Sequence, residues 1–139
     1  LQSAIAQRQH TPVILIESLR HVQERWYHKQ KLVLVWSAMR HFAEELNAAG
    51  WPVTYRAQQA DFEAPLQEWI EANQITELRV MQPNDRPFAK LLQALDLPCD
   101  LTLIPNNHFL WSAAEFADWA KSRKRLLMED FYREGRRRY

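Results

Sequence analysis

Apolar positions along this chain fall in short blocks, and the blocks alternate between two kinds of spacing. Thr11–Glu17 is an unbroken run rich in β-branched residues that ends on a carboxylate. Continuous rather than alternating apolarity predicts a strand covered on both faces, as in a parallel sheet. Trp51–Arg56, Glu77–Met81 and Asp100–Pro105 repeat that signal as three further strands. Between them the spacing changes to the helical one. Leu32–Trp36 runs without a turn into Ser37–Ala49, where Met39, Phe42, Ala43 and Leu46 recur at three and four residues, and Gly50 supplies a stop. One long helix over Lys29–Ala49 follows, with its apolar first half deeply buried.

Asp61 caps a helix carrying Phe62, Leu66, Trp69 and Ile70 on one face. A helix is predicted over Phe88–Leu95, and Ser112–Ala113–Ala114–Glu115 is a capping box for one running to about Lys121. Leu126–Arg137 closes the series, and Ser3–Gln9 reads as a short helical piece. Strands alternating with helices predict an α/β fold: a doubly wound, mostly parallel Rossmann-like sheet with helices on both faces. Ligands of such sheets sit beyond the carboxyl ends of the strands. That draws attention to the loops Glu17–Lys31, Arg56–Asp61, Gln82–Pro87 and Asn106–Trp111.

Composition narrows the function. A length of 139 residues fits one domain. Its glycines are Gly50 and Gly135 alone, so neither a dinucleotide-binding GxGxxG turn nor a GxxxxGK[ST] phosphate loop can exist within it. The single cysteine, Cys99, excludes an internal disulfide and any cysteine-built zinc or iron–sulfur site in this chain, and follows Pro98 as a small buried hydrophobe. The longest apolar run is far short of the roughly 20 residues that span a bilayer. No basic-plus-apolar leader opens the chain, and the expectation is a soluble, cytoplasmic protein without membrane contact.

The net charge of +1 hides an asymmetry. Lys121–Tyr139 carries eight Lys/Arg against three Asp/Glu, which leaves ten against fourteen elsewhere. A solvated helix end is the simplest account of this segment. A nucleic-acid or partner-binding module using this basic C-terminal helix is the alternative function. His28–Lys29–Gln30–Lys31 places cations ahead of the long helix, against its dipole, which raises contact with an anion or another domain. Arg40–His41 and Glu44–Glu45 read as an ion-paired exposed face. His41 and Glu45 share that face, but two ligands do not make a metal site. No nucleophile elbow or carboxylate pair assembles a catalytic constellation.

The strings Tyr27–Lys31 and Ser37–Leu46 carry something more specific, together with Ala48–Gly50, His108–Leu110, Glu115–Phe116, Trp119–Ala120, Arg123–Lys124, Met128–Glu129 and Phe131–Glu134. They resemble the deoxyribodipyrimidine photolyase-related proteins, the bacterial branch of the cryptochrome/photolyase superfamily with an iron–sulfur cluster. The resemblance implies a two-part flavoprotein. An N-terminal α/β domain holds a light-harvesting antenna, a ribityllumazine in characterised members. A helical C-terminal domain holds FAD, the iron–sulfur cluster and the DNA lesion, and repairs six-four photoproducts by light-driven electron transfer or, in the sensing alternative, reports blue light.

On that reading residues 1–139 are a single antenna-type domain, a fragment lacking the family's first strand and its C-terminal FAD domain. The domain is not catalytic alone, and its partners are that FAD domain and, through the full-length lyase, DNA. The positions that line the antenna fall on Ile16 with Glu17, His21 and Val35. The family's cysteine and glutamate are replaced at Ile16 and His21, while Val35 keeps the aliphatic character.

Overall fold

The computed structural model describes residues 10–24 and 26–139. The helix expected over Ser3–Gln9 lies outside the described residues. The chain divides into two compact units, Leu1–Leu78 with Gln93–Thr102 and Arg79–Leu92 with Leu103–Tyr139.

The first unit opens with strand β1 (Val13–Ser18), followed by a short helix α1 (Leu19–Gln23), the long helix α2 (Lys29–Ala48), strand β2 (Val53–Gln59) and helix α3 (Glu63–Ala72). β1 and β2 pair in parallel, Val13 opposite Val53 through Ile16 opposite Arg56. The register then slips, so that Ser18 faces Gln59. Ala57 and Gln58 therefore oppose the single residue Glu17. That is a β-bulge, and Gln58 takes the left-handed φ of +50° within it.

α2 matches the expected long helix. The His28 side chain caps it by accepting from the Gln30 N–H at 3.2 Å. Its C-terminus is a Schellman turn: Gly50 at φ +88° bonds back to Asn47, and Trp51 bonds back to Leu46. Leu32, Trp36, Met39, Ala43 and Leu46 form the inward stripe. The first half of α2 is nonetheless not deeply buried. Val33 is 66% and Leu34 70% exposed, with Val35 and Phe42 also open to solvent. The run Leu32–Trp36 is apolar all round, while the helix has a covering on one stripe only. β1 departs from expectation in the same way: Val13–Ile16 are half-buried, and Glu17 is its one buried residue.

Leu66, Trp69 and Ile70 of α3 supply most of the buried core of this unit, with Ala43. Trp69 also donates its indole N–H to Thr54 Oγ1 on β2 at 3.1 Å, tying helix to strand. Asp61 accepts from the Ala64 N–H at 3.2 Å, as a capping residue should.

Strands β3 (Glu77–Met81) and β4 (Asp100–Ile104) form a second pair. The bonds Asp100 N–H to Thr76 O and Gln82 N–H to Ile104 O advance in the same direction along both strands, so this pair is parallel too. The protein is thus a small α/β fold. Pairing among the described residues is confined to β1–β2 and β3–β4, where one doubly wound sheet was expected.

The second unit contains helices α4 (Arg86–Gln93), α5 (Ala113–Lys121) and α6 (Met128–Arg138). α4 begins two residues before the expected Phe88. Asp85 accepts from the Phe88 N–H at 3.1 Å, and Pro87 sits in the first turn, where its missing N–H costs nothing. The capping box of α5 forms as read, Ser112 and Glu115 exchanging both bonds. Phe131 of α6 packs against Trp111, Phe116 and Trp119 with ring centroids 5.0–5.1 Å away. Cys99, expected to be buried, is half-buried. No helix among the described residues is long and apolar enough to cross a membrane.

Candidate functional site

Glu17 ends the apolar run of β1, and its side chain is fully buried. An ionised carboxylate has room for about four donors, two per oxygen. Glu17 fills all four. Oε1 accepts from Arg40 Nε at 2.8 Å and from the Tyr55 hydroxyl at 2.6 Å. Oε2 accepts from Arg40 Nη2 and from the Gln58 N–H, each at 3.1 Å. The arginine comes from the middle of α2, the tyrosine from β2, and the amide from the bulge. One carboxylate thus ties together three segments of the first unit at the carboxyl end of its parallel pair.

The bulge and the carboxylate explain each other. Gln58 turns its N–H onto Oε2 while in a left-handed conformation that costs a non-glycine residue roughly 1–2 kcal/mol. The charge-assisted bond from that amide offsets the cost.

Burial pushes the Glu17 carboxyl up, but the bonds from Arg40, Tyr55 and Gln58 together outweigh it, and the group is held below the usual carboxylate range. The Arg40 guanidinium is raised, first by its bond to Glu17. Burial raises the Tyr55 phenol, and the bond it donates to Glu17 adds to that. With every lone-pair direction occupied, Glu17 has no capacity left to act as a base or to accept from a ligand. Arg40 differs. Its side chain is 48% exposed, and a guanidinium carries five N–H donors, more than Glu17 and Tyr55 absorb. What this end of the sheet offers to solvent is a fixed donor fork.

The four residues singled out in the sequence fall on three elements. Ile16 and Glu17 occupy the end of β1, Ile16 half-buried and opposite Arg56. His21 is on α1 and exposed, its Nε2 3.4 Å from the Tyr27 hydroxyl and its ring 5.9 Å from the Tyr27 ring. Val35 is on α2 and 45% exposed. Lys31 sets its ammonium 4.8 Å from the Tyr27 centroid, so the basic first turn of α2 folds partly onto the tyrosine that precedes it.

Arg40, Tyr55 and Gln58 carry no sequence signal for this role. Arg40 has carboxylates one turn along its helix, and it turns instead to Glu17, 23 residues away. Nothing local marks Tyr55 or Gln58 as partners of a glutamate on another strand.

The four loops singled out do join in pairs. In the first unit, Gln58 bonds Glu17 and the Arg20 N–H bonds Ala60 O at 3.0 Å, while Arg20 also pairs with Glu63. In the second, Asn106 Nδ2 reaches Gln82 O at 3.0 Å and Asn84 Oδ1 at 3.2 Å. Among the described residues no three His, Cys, Asp or Glu side chains gather as a metal site.

Comparison with known sequences decides the family. The sequence model described as deoxyribodipyrimidine photo-lyase-related protein matches residues 1–139. The chain belongs to this family. A (6-4) photolyase of Agrobacterium fabrum is 33% identical over 135 residues, an alignment covering 91% of this chain and 26% of the relative. The photolyase-related chain therefore spans about a quarter of that relative's length.

Proposed function

We propose that this photolyase-related domain is the antenna-binding and scaffold domain of a flavoprotein that uses light to repair six-four DNA photoproducts or to sense blue light. The observation that carries the reading is the closed Glu17–Arg40–Tyr55–Gln58 knot at the carboxyl ends of β1 and β2, where ligands of parallel α/β sheets bind. The family match and the similarity to a (6-4) photolyase support it.

A ribityllumazine-type antenna presents a flat ring with carbonyl acceptors and a hydroxylated chain, and the residues proposed for it carry matching chemistry. Arg40 has donors to spare for carbonyls, Ile16 and Val35 offer aliphatic surface, and the exposed His21 imidazole suits a hydroxyl. Glu17 takes a different part, holding Arg40 in place without reaching the ligand itself. When bound, such an antenna collects light and passes excitation to a flavin. FAD, the iron–sulfur cluster and the DNA lesion would belong to a helical partner domain of the longer protein, and this chain holds the antenna and presents it. A cytoplasmic location goes with that function.

The test is the visible spectrum of the chain after incubation with ribityllumazine and desalting in the dark. A retained lumazine band that Val35→Asp abolishes, with the far-ultraviolet dichroism unchanged, is the expected result. A colourless but folded wild-type chain would leave the scaffold role and remove the antenna.

A further inference from the structure

The antenna reading leaves the basic end of the chain unused. The segment linking α5 to α6, residues 122–127, is exposed throughout and carries Arg123, Lys124 and Arg125 in succession. α6 ends on Arg136, Arg137 and Arg138, with Arg133 one turn before.

Ion pairs neutralise part of this charge. Lys121 pairs with Asp118, Arg133 with Glu129, Arg137 with Glu134 and Arg138 with Glu115. None of the ion pairs among the described residues involves Arg123, Lys124, Arg125 or Arg136. Four uncompensated cations in so short a stretch repel one another, and a solvated helix end needs no such concentration.

Two of the four are held by aromatic faces. The Arg123 guanidinium lies 4.9 Å from the Trp119 ring centroid, and that of Arg136 lies 5.9 Å from the Tyr132 centroid. A cation–π contact holds a guanidinium near the ring while leaving its N–H donors free to engage phosphate oxygens. The bias towards arginine points the same way: six of the eight cations from Lys121 onward are Arg. Arg123–Arg125 precedes α6 and Arg136 lies near its far end. Arg136 lies eight residues along the helix from Met128, an axial rise of about 12 Å. At 3.4 Å of rise per nucleotide along a strand, that rise matches about three to four phosphate spacings.

We propose that Arg123, Lys124, Arg125 and Arg136 form a contact surface for the phosphodiester backbone of nucleic acid, belonging to this domain itself. The surface reads charge and spacing, with no base specificity. It stands independently of the antenna.

The test is fluorescence anisotropy of a labelled short duplex titrated with the chain over a series of salt concentrations. The expected result is binding whose logarithm falls linearly with the logarithm of salt, at about 0.9 per phosphate contacted. The triple substitution Arg123→Gln, Lys124→Gln, Arg125→Gln should reduce that slope by about 2.7, three contacts' worth, and weaken low-salt binding at least about tenfold. Arg136→Gln alone should reduce the slope by about 0.9. Circular dichroism confirms that each variant is folded, and unchanged lumazine retention by the triple variant separates this surface from the antenna.

Absent or salt-insensitive binding by the wild-type chain overturns the proposal, as does an unchanged slope in folded variants. Equal binding to polyglutamate would make the partner an acidic protein surface. Binding to phosphatidylglycerol vesicles without binding to duplex would make it a lipid headgroup, which the exposed Leu126, Leu127 and Met128 would then join. Either result contradicts the nucleic-acid assignment.

Discussion

Glu17 occupies an interior position that apolar residues dominate elsewhere, and it remains charged there because four donors meet it. Truncating it strands the Tyr55 hydroxyl and the Gln58 amide, while half-exposed Arg40 regains water. Glu17→Ala should therefore cost about 2–3 kcal/mol, and Tyr55→Phe, which removes one bond to the carboxylate, about 1–2 kcal/mol, both read by urea unfolding.

The same group sets an acid limit. Its folded pKa is depressed, so the stabilisation is fully present above the unfolded carboxylate value of about 4.3 and is lost as pH falls through the folded value. Urea midpoints of wild type and Glu17→Gln should converge as pH drops below about 4, because protonation leaves both with a neutral group. A constant gap down to pH 2 would contradict this. In the sequence, Glu17 was visible as the polar end of an apolar strand. Its partners were not, since Arg40 has carboxylates within one turn and reads as satisfied by them.

Among the elements, what was legible was local. The Ser112 capping box, the Asp61 cap and the Gly50 stop each depend on residues within a few positions, and all three formed as read. The end of α3 uses the same chemistry with an unfavourable residue. Gln74 takes φ +52° in a Schellman turn, its N–H bonding Glu71 while that of Ile75 bonds Ile70. Only the bonds reveal the turn, because glutamine carries no signal for a left-handed backbone. Gln74→Gly should raise stability by about 1 kcal/mol, seen as a higher melting temperature. An unchanged or lower value would mean that the glycine's extra freedom in the unfolded chain cancels the relief. The exposure of Val33 and Leu34 was illegible for the opposite reason. Hydrophobicity says that a face can be buried, and only the neighbours say whether it is.

For the molecule as a whole, alternation of strands and helices gave the α/β class, but strand pairing is long-range and escaped the pattern. The β1–β2 register, with its bulge at Glu17, and the separate β3–β4 pair depend on contacts tens of residues apart. The family was legible in Tyr27–Lys31 and Ser37–Leu46, which lie on α2 and the turn before it. Within the first unit, that helix supplies both the inward stripe over the sheet and the arginine that closes the knot. Under the proposed function, Arg40 and His21 contact a lumazine-type antenna. Equilibrium anisotropy of ribityllumazine, titrated in the dark with wild-type chain and with folded Arg40→Gln and His21→Ala variants, tests it most directly. Saturable binding by the wild type, weakened about tenfold or more by Arg40→Gln, a loss of roughly 1.4 kcal/mol, is the predicted result. Absence of saturable binding by a folded wild-type chain, or identical affinity in all three proteins, would contradict it.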